Sequence, residues 1–217
     1  MSSSIRPSFP RQDPPPADSP AVQTIITTLN MQAHGEGGYF SETDRDPFLV
    51  PSPFPHTAAS AGKVGPDLLS AQRPGFDPAV RNASTSIYYL LTPGSPQGFF
   101  HRNRGRTVHT LHRGRGRYVT IHADEPGHRV ETFVVGQDIA KGERLQWIVE
   151  GGKFKASFLL PDVDGNGEET GKSEGLLISE TVIPGFEYFD HDFLVKKSLV
   201  ELVGEDKAKE LEWLVHN

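Results

Sequence analysis

Side chains that exchange protons or bind polar ligands are concentrated in three short stretches of this chain: HGEGGYF (34–40), HRNRGRTVHTLHRG (101–114) and RLQWIVEGGKFK (144–155). Imidazole titrates near neutral pH, so a histidine beside a carboxyl or phenol group is a candidate acid–base pair. His34, Glu36 and Tyr39 in the first stretch meet that description. In the alternative interpretation, Gly37 and Gly38 supply a tight turn whose backbone groups are capped by the polar residues. Both interpretations stay open from the residues alone.

The second stretch has the alternation of a β-strand, in which successive side chains point to opposite faces. Thr107, His109 and Leu111 then share one face, and the residues between them share the other. If His101 also points inward, His101 and His109 meet in one pocket. The alternative is that these histidines are polar residues at the surface of a strand.

Short strands have to position these residues. Segments rich in β-branched and aromatic residues follow one another through the middle of the chain: STSIYYLL (84–91), QGFFHR, RTVHTLH, RYVTIHA, VETFVVG, RLQWIVE, KFKASFLL and finally GLLISETVI. Turns rich in Gly and Pro separate many of them. Such spacing predicts an all-β sandwich or barrel.

The flanking sequences differ from this central region. Residues 1–18 are rich in Ser and Pro, which predicts a disordered arm. Ser19-Pro20 is a typical helix opening, so we expect a short helix over 20–30. Residues 46–80 hold many Pro and Gly residues and predict an irregular insert within a domain over 19–195. Apolar residues in the charged segment 196–217 predict a helical tail.

Five segments, in this order and spacing, resemble the Cupin_5 (DUF985) family of the cupin superfamily: HGEGGYFSET, STSIYYLL, FFHRN, RLQWIVEGGKF and TVIPGFEYFDHDF. The resemblance covers roughly residues 20–195. It implies a double-stranded β-helix, the RmlC-like jelly-roll barrel, which is usually dimeric and has a pocket inside the barrel mouth. It implies little about activity, because the family is mostly uncharacterised and a fold alone does not give function.

Metal-binding cupins are similar to one another in two motifs, H-x-H-x(3–4)-E-x6-G and P-x-G-x2-H, whose imidazoles and carboxylate bind a transition metal. In this chain the corresponding positions hold a poor set of ligands: His101, Asn103, Thr107 and Lys155. The resemblance implies a Glu at the position of Thr107. We therefore predict no metal or other cofactor. The alternative is a weak metal site made by His101 and His109 with Glu36 or Glu150.

Six arginines fall between positions 102 and 117. Guanidinium groups match carboxylates and phosphates, so one interpretation is an anion site. Contact with RNA is a weaker interpretation, because no aromatic residue is interleaved before Tyr118. We favour a solvated hairpin edge, whose charge also blocks the addition of a further strand.

Composition excludes several classes of function. The chain has no cysteine, which excludes disulfides, thiolate metal sites and a cysteine nucleophile. A net charge of −6 gives no general attraction to nucleic acid or anionic membranes. No apolar run approaches the roughly 20 residues that span a bilayer, and the first residues lack the apolar core of a signal peptide. We expect a cytoplasmic protein with no membrane or nucleic-acid partner.

These observations predict a homodimer with an interior pocket for a small polar or anionic metabolite. One favoured function is a metal-independent isomerase, epimerase or lyase, in which His101 or His109 takes a proton beside a carbonyl group and Tyr39 or Tyr89 acts as the acid. The predicted ligand-binding residues are His34, Glu36, Asn103, Thr107, Tyr89, Gln146 and Lys155. A non-catalytic ligand-binding barrel is favoured equally. A metal-dependent, dioxygenase-like cupin with a degenerate site is the third candidate.

Overall fold

The computed structural model describes residues 5–54 and 73–216. Its helices are α1 (Pro20–Thr28) and α2 (Lys196–Leu211). Its strands are β1 (Gln32–Ala33), β2 (Tyr39–Arg45), β3 (Leu49–Pro51), β4 (Val80–Asn82), β5 (Thr85–Leu91), β6 (Gln97–Asn103), β7 (Arg106–Arg113), β8 (Gly116–Ile121), β9 (Val130–Val135), β10 (Gln146–Val149), β11 (Phe154–Leu159), β12 (Leu176–Ile183) and β13 (His191–Phe193).

Most strands belong to two antiparallel sheets that pack face to face. The six-stranded sheet has the order β1-β2-β5-β12-β7-β10, and the five-stranded sheet has the order β13-β6-β11-β8-β9. Strands β3 and β4 pair with each other as a separate ribbon. The predicted all-β jelly roll with short helices near both ends is confirmed.

Strand alternation separates three apolar layers. Between the sheets, side chains from both interdigitate, among them Leu111, Tyr118, Leu159, Leu176 and Ile178. The other face of the five-stranded sheet is covered by α2, where Leu199 and Leu211 are fully buried. On the outside of the six-stranded sheet, α1 packs Val22 against Leu90. The hydroxyl of Ser19 accepts a hydrogen bond from the N–H of Val22 at 3.3 Å and caps this helix.

The interior between the sheets is apolar at one end and polar at the other. On β12, Leu176 and Ile178 lie in the apolar part, and Glu180 follows on the same face. On β7, His109 precedes Leu111 in the same way. Because alternate residues of a strand share a face, this sequence pattern collects the ionisable side chains at one end of the sandwich.

The flanks differ in part from the expectation. Residues 5–18 were predicted as a disordered arm, but they lie along the domain: Ile5 is only 3% exposed, and its N–H donates to Glu210 Oε1 at 2.8 Å. A Ser/Pro-rich segment forms no helix or strand here, yet it is held by one buried side chain and by hydrogen bonds. The predicted insert contains the ribbon β3–β4, and its residues 55–72 lie outside the described part. Among the described residues, neither helix is long and apolar enough to cross a bilayer.

Candidate functional site

The loop before β2 holds the carboxylate of Glu36 inside the sandwich. Gly37 has a φ of 95°, and a Cβ at this position would lie 2.1 Å from the carbonyl oxygen of Gln97. Only glycine permits this approach of two backbones. The N–H of Phe99 donates to the carbonyl oxygen of Glu36 at 2.7 Å, which ties the loop to β6. The glycines therefore supply the turn, and the turn aims Glu36 inward.

Glu36, His101 and His191 form one buried group, which we call the His–Glu cluster. Nε2 of His191 lies 2.8 Å from Glu36 Oε1, and Nε2 of His101 lies 3.2 Å from Glu36 Oε2. The two imidazole rings are nearly parallel, with centroids 5.4 Å apart. The cluster joins three separate parts of the chain, because β13 pairs with β6 and the loop of Glu36 packs on β6.

The orientation of His101 is fixed by the backbone. Its Nδ1 lies 2.8 Å from the carbonyl oxygen of Phe99 and donates its hydrogen there, so Nε2 is the ring nitrogen that faces Glu36. Burial lowers the pKa of His101 to about 3, although Glu36 acts in the opposite direction. Burial opposes ionisation of Glu36 as well, but the surrounding imidazoles of His101, His34 and His191 hold its pKa below the usual range.

A second group, the Lys155 cluster, consists of His109, Lys155 and Glu180. Nζ of Lys155 lies 2.5 Å from Glu180 Oε2 and 2.9 Å from His109 Nε2. Burial, followed by the charge of Lys155, lowers the pKa of His109. Burial would raise the pKa of Glu180, but Lys155 and His109 hold it well below its usual value. The cluster is thus a buried ammonium–carboxylate pair with a neutral imidazole that accepts from the ammonium group.

A cavity of about 100 Å³ connects the two clusters to solvent. Its polar wall includes His34, Glu36, His101, Asn103 and Glu180, and its apolar wall includes Phe40, Ile87, Val182 and Phe186. A small cavity with apolar walls and a few converging polar groups is typical of a site for a small molecule.

The arginines in the wall are already paired. Arg45 donates to Glu42 at 2.7 Å, and it also lies 3.2 Å from Glu187. Arg73 donates to Glu187 at 2.8 Å. An anionic ligand would have to displace these carboxylates, so the wall favours a polar ligand without net charge.

Of the three predicted catalytic residues, only His101 lines the cavity. Tyr39 does not line this cavity: on β2 it is Phe40 that faces the cavity, and Tyr39 packs beside Leu90 on the outer face. His109 is buried behind the wall and binds Lys155, so the expected meeting of His101 with His109 does not occur.

The predicted ligand-binding residues fall into three groups. Those in the cavity wall are His34, Glu36 and Asn103. Those buried behind it are Thr107, Tyr89 and Lys155. Gln146 lies away from the cavity, because it is exposed on the outer face of β10, where it donates to Thr110 at 3.3 Å.

Two residues of the site, His191 and Glu180, were missed by sequence reasoning. Glu180 stands among Leu176, Ile178 and Val182 at alternate positions of a strand, and a carboxylate on such an apolar face is itself a signal. His191 lies between Asp190 and Asp192, outside the three stretches that the sequence singled out. Its proximity to His101 depends on the pairing of β13 with β6, which no local pattern indicates.

The arginine run is distributed over several ion pairs, as a solvated hairpin edge would be. These pairs are Arg102–Asp192 at 2.7 Å, Arg106–Glu150 at 3.5 Å and Arg115–Glu143 at 2.6 Å. These three guanidinium groups therefore have different carboxylate partners.

The positions that bind metal in metal-binding cupins do not fit a metal here. Asn103 donates to Thr107 at 3.4 Å, and Lys155 places a buried ammonium group bound to Glu180 among them. A fixed positive charge repels a cation, and an amide and a hydroxyl are weak ligands for a transition ion.

Comparison with known proteins places the chain in a family. The family model described as Cupin superfamily (DUF985) matches residues 23–194. The chain belongs to the Cupin_5 family. This Cupin_5 protein is 42% identical over 202 residues to the uncharacterized protein YML079W of Saccharomyces cerevisiae, covering 93% of this chain and 89% of that protein.

Two solved structures that resemble this Cupin_5 protein share its fold over nearly its whole length. One is a hypothetical protein from Leishmania major, with a TM-score of 0.66, 25% identity, and coverage of 90% of this chain and 98% of that one. Another is protein SO0799 from Shewanella oneidensis, with a TM-score of 0.62, 21% identity, and coverage of 89% and 96%. The resemblance inferred from the sequence is confirmed, and these names assign no activity.

Proposed function

We propose that this Cupin_5 protein binds a small polar metabolite in the cavity and transfers a proton to or from it, as an isomerase or epimerase does. The observation that carries the proposal is the pair of buried ionisable clusters at the cavity. Buried charges seldom add to stability, because their desolvation costs about as much as their pairing gains. Ionisable groups concentrated beside a cavity are therefore a signal of function.

The two clusters reach the cavity from opposite sheets. His101 is on β6 of the five-stranded sheet, and Glu180 is on β12 of the six-stranded sheet. A ligand between them has polar groups on both sides. In our proposal the carboxylate of Glu180, kept ionised by Lys155, takes a proton beside a carbonyl group. His34, whose Nδ1 accepts from the N–H of Glu36 beside the His–Glu cluster, donates its Nε2 hydrogen to the oxygen of that carbonyl.

This assignment of roles differs from the one predicted from the sequence. Tyr39 lies outside the cavity, and the hydroxyl of Tyr89 donates to the carbonyl oxygen of Gly37 at 2.9 Å. Neither tyrosine supports the role of acid. The paired arginines of the wall favour a neutral ligand such as a sugar or a small hydroxy ketone.

Deuterium exchange tests this proposal. The protein is incubated in D₂O with a panel of reducing sugars and small hydroxy ketones, and exchange at the carbon beside the carbonyl is followed by proton NMR. We expect exchange with the wild type and its loss in Glu180→Gln. The control is Glu150→Gln, because Glu150 is 55% exposed and lies outside the cavity. Binding of a compound without exchange would favour the second candidate, a non-catalytic binding barrel, which the same cavity supports.

The homodimer is a separate proposal. Ile148 and Ile183 are 46% and 45% exposed on the outer face of the six-stranded sheet, where burial by a second copy would remove apolar surface from water. Light scattering at low micromolar concentration measures the mass, and a monomer would contradict the proposal.

A further inference from the structure

We infer that the His–Glu cluster binds a divalent transition-metal ion, with Glu36, His101 and His191 as its protein ligands. The inference deepens the proposed function, and it rests on that function for the role of the ion, which would be to hold the ligand's carbonyl oxygen. Binding of the ion itself follows from the geometry of the three side chains.

The three side chains converge as metal ligands do. One ligand atom from each lies within 4.8 Å of the others, and the distances from the two imidazole nitrogens to the oxygens of Glu36 are 2.8 and 3.2 Å. An ion with bonds of about 2.0–2.2 Å holds its ligand atoms roughly 3 Å apart, so little movement is needed. Two imidazoles and one carboxylate suit ions such as Zn²⁺, Mn²⁺ and Fe²⁺ and leave coordination positions open. Glu36 and His101 line the cavity, so those positions are accessible to a small molecule.

The backbone orients His101 for this role. Its Nδ1 lies 2.8 Å from the carbonyl oxygen of Phe99, so Nε2 is the ring nitrogen that points towards Glu36 Oε2, 3.2 Å away. A backbone carbonyl that orients the other ring nitrogen is the usual partner of a metal-binding histidine.

The segment that carries His191 is held rigidly. Asp190, immediately before it, accepts two hydrogen bonds from the buried Arg81, at 2.6 and 3.0 Å. Asp192, immediately after it, accepts two from Arg102, at 2.7 and 2.9 Å. These pairs fix the position of the imidazole before any ion binds, which reduces the cost of forming a site.

This ligand set differs from the one in metal-binding cupins, with which it shares only His101. The other positions of that set hold Asn103, Thr107 and Lys155 in this chain. The prediction of no metal was made for those positions, and Glu36 and His191 lie on other elements, the loop before β2 and strand β13.

Isothermal titration calorimetry with Zn²⁺ and Mn²⁺, on protein treated with a chelator and dialysed, tests the inference. We expect one ion per chain for at least one of the two metals. His191→Ala and the isosteric Glu36→Gln should each weaken binding by at least about 100-fold, because loss of a residue that only hydrogen-bonds to a metal ligand already costs about 10–100-fold. The control is His112→Ala, which removes an exposed imidazole from the outer face of β7. Circular dichroism checks that each variant is folded, and the absorption spectrum of the Co²⁺ form should change in the two ligand variants only.

Absence of a bound ion in the wild type would overturn the inference. So would stoichiometric binding that neither folded ligand variant weakens, because the ion would then lie elsewhere. The outcome for the proposed function is separate. If the protein binds the ion but exchanges deuterium on none of the compounds, the metal site stands and the proton-transfer proposal is refuted. If it exchanges deuterium but binds no ion, the proton-transfer proposal stands and the metal site is refuted.

Discussion

Replacing Lys155 with methionine tests how much the buried ion pair between Lys155 and Glu180 contributes to the stability of the folded barrel. Lys155 is 2% exposed, and its ammonium group donates to both Glu180 and His109. Methionine fills a similar volume but leaves a carboxylate and an imidazole lone pair buried without a donor. Removal of one partner of a buried pair costs roughly 3–5 kcal/mol. At about 2–4 °C per kcal/mol for a chain of this length, the melting temperature should fall by about 6–20 °C.

Urea unfolding followed by circular dichroism at pH 7 measures this cost. The double variant Lys155→Met/Glu180→Leu removes both charges, so it should be more stable than Lys155→Met alone. The control is Lys196→Met. The side chains of Lys196 and its partner Glu212 are 72% and 44% exposed, and such a pair is worth less than about 1 kcal/mol.

Two results would refute this reasoning. A cost below about 1 kcal/mol for Lys155→Met would mean that solvent reaches the pair and screens it. The second result would be that the free-energy costs of Lys155→Met and Glu180→Leu, each measured alone, simply add in the double variant. In that case Lys155 and Glu180 do not interact.

Three further predictions concern acid, a turn and a helix cap. The folded-state pKa of Glu180 lies below the ordinary value of 4.5, so ionised Glu180 stabilises the fold above pH 4.5 and this stabilisation is lost as the pH falls below that value. The melting temperature should therefore fall more steeply on acidification for the wild type than for Glu180→Gln. Gly37→Ala should destabilise the protein and weaken ligand binding, whereas Gly127→Ala, with a similar φ of 81° and no atom within 4 Å, should cost only about 1 kcal/mol; equal costs would contradict the backbone clash. Ser19→Ala should cost about 1 kcal/mol in urea unfolding, and no change would contradict the cap.

The barrel could be predicted because its signals are local. The strands carry β-branched and aromatic residues between Gly and Pro turns, and pairing follows from alternation within each strand. Alternation also placed Thr107, His109 and Leu111 correctly on the inner face of β7. These features depend on neighbours within a few residues.

The site was predicted only in part, because it depends on which strands pair and on their register. A shift of one residue moves every side chain of a strand to the other face. The register of β2 therefore determines that Phe40, and not Tyr39, faces the cavity. His191 reaches Glu36 and His101 only through long-range pairing. Lys155 was recognised as an unusual residue at a ligand position, but its partner Glu180 was not, since the two are joined across sheets.

The contact of Ile5 with the last helix has a practical consequence. Ile5 packs in the same buried cluster as Leu199 and Leu211, and its backbone is tied to Glu210. A recombinant protein shortened to begin at α1 would lack Ile5, which would leave a gap beside that helix and expose apolar side chains to water. Such a protein should aggregate more readily than the 217-residue chain, even though every strand of the barrel is intact.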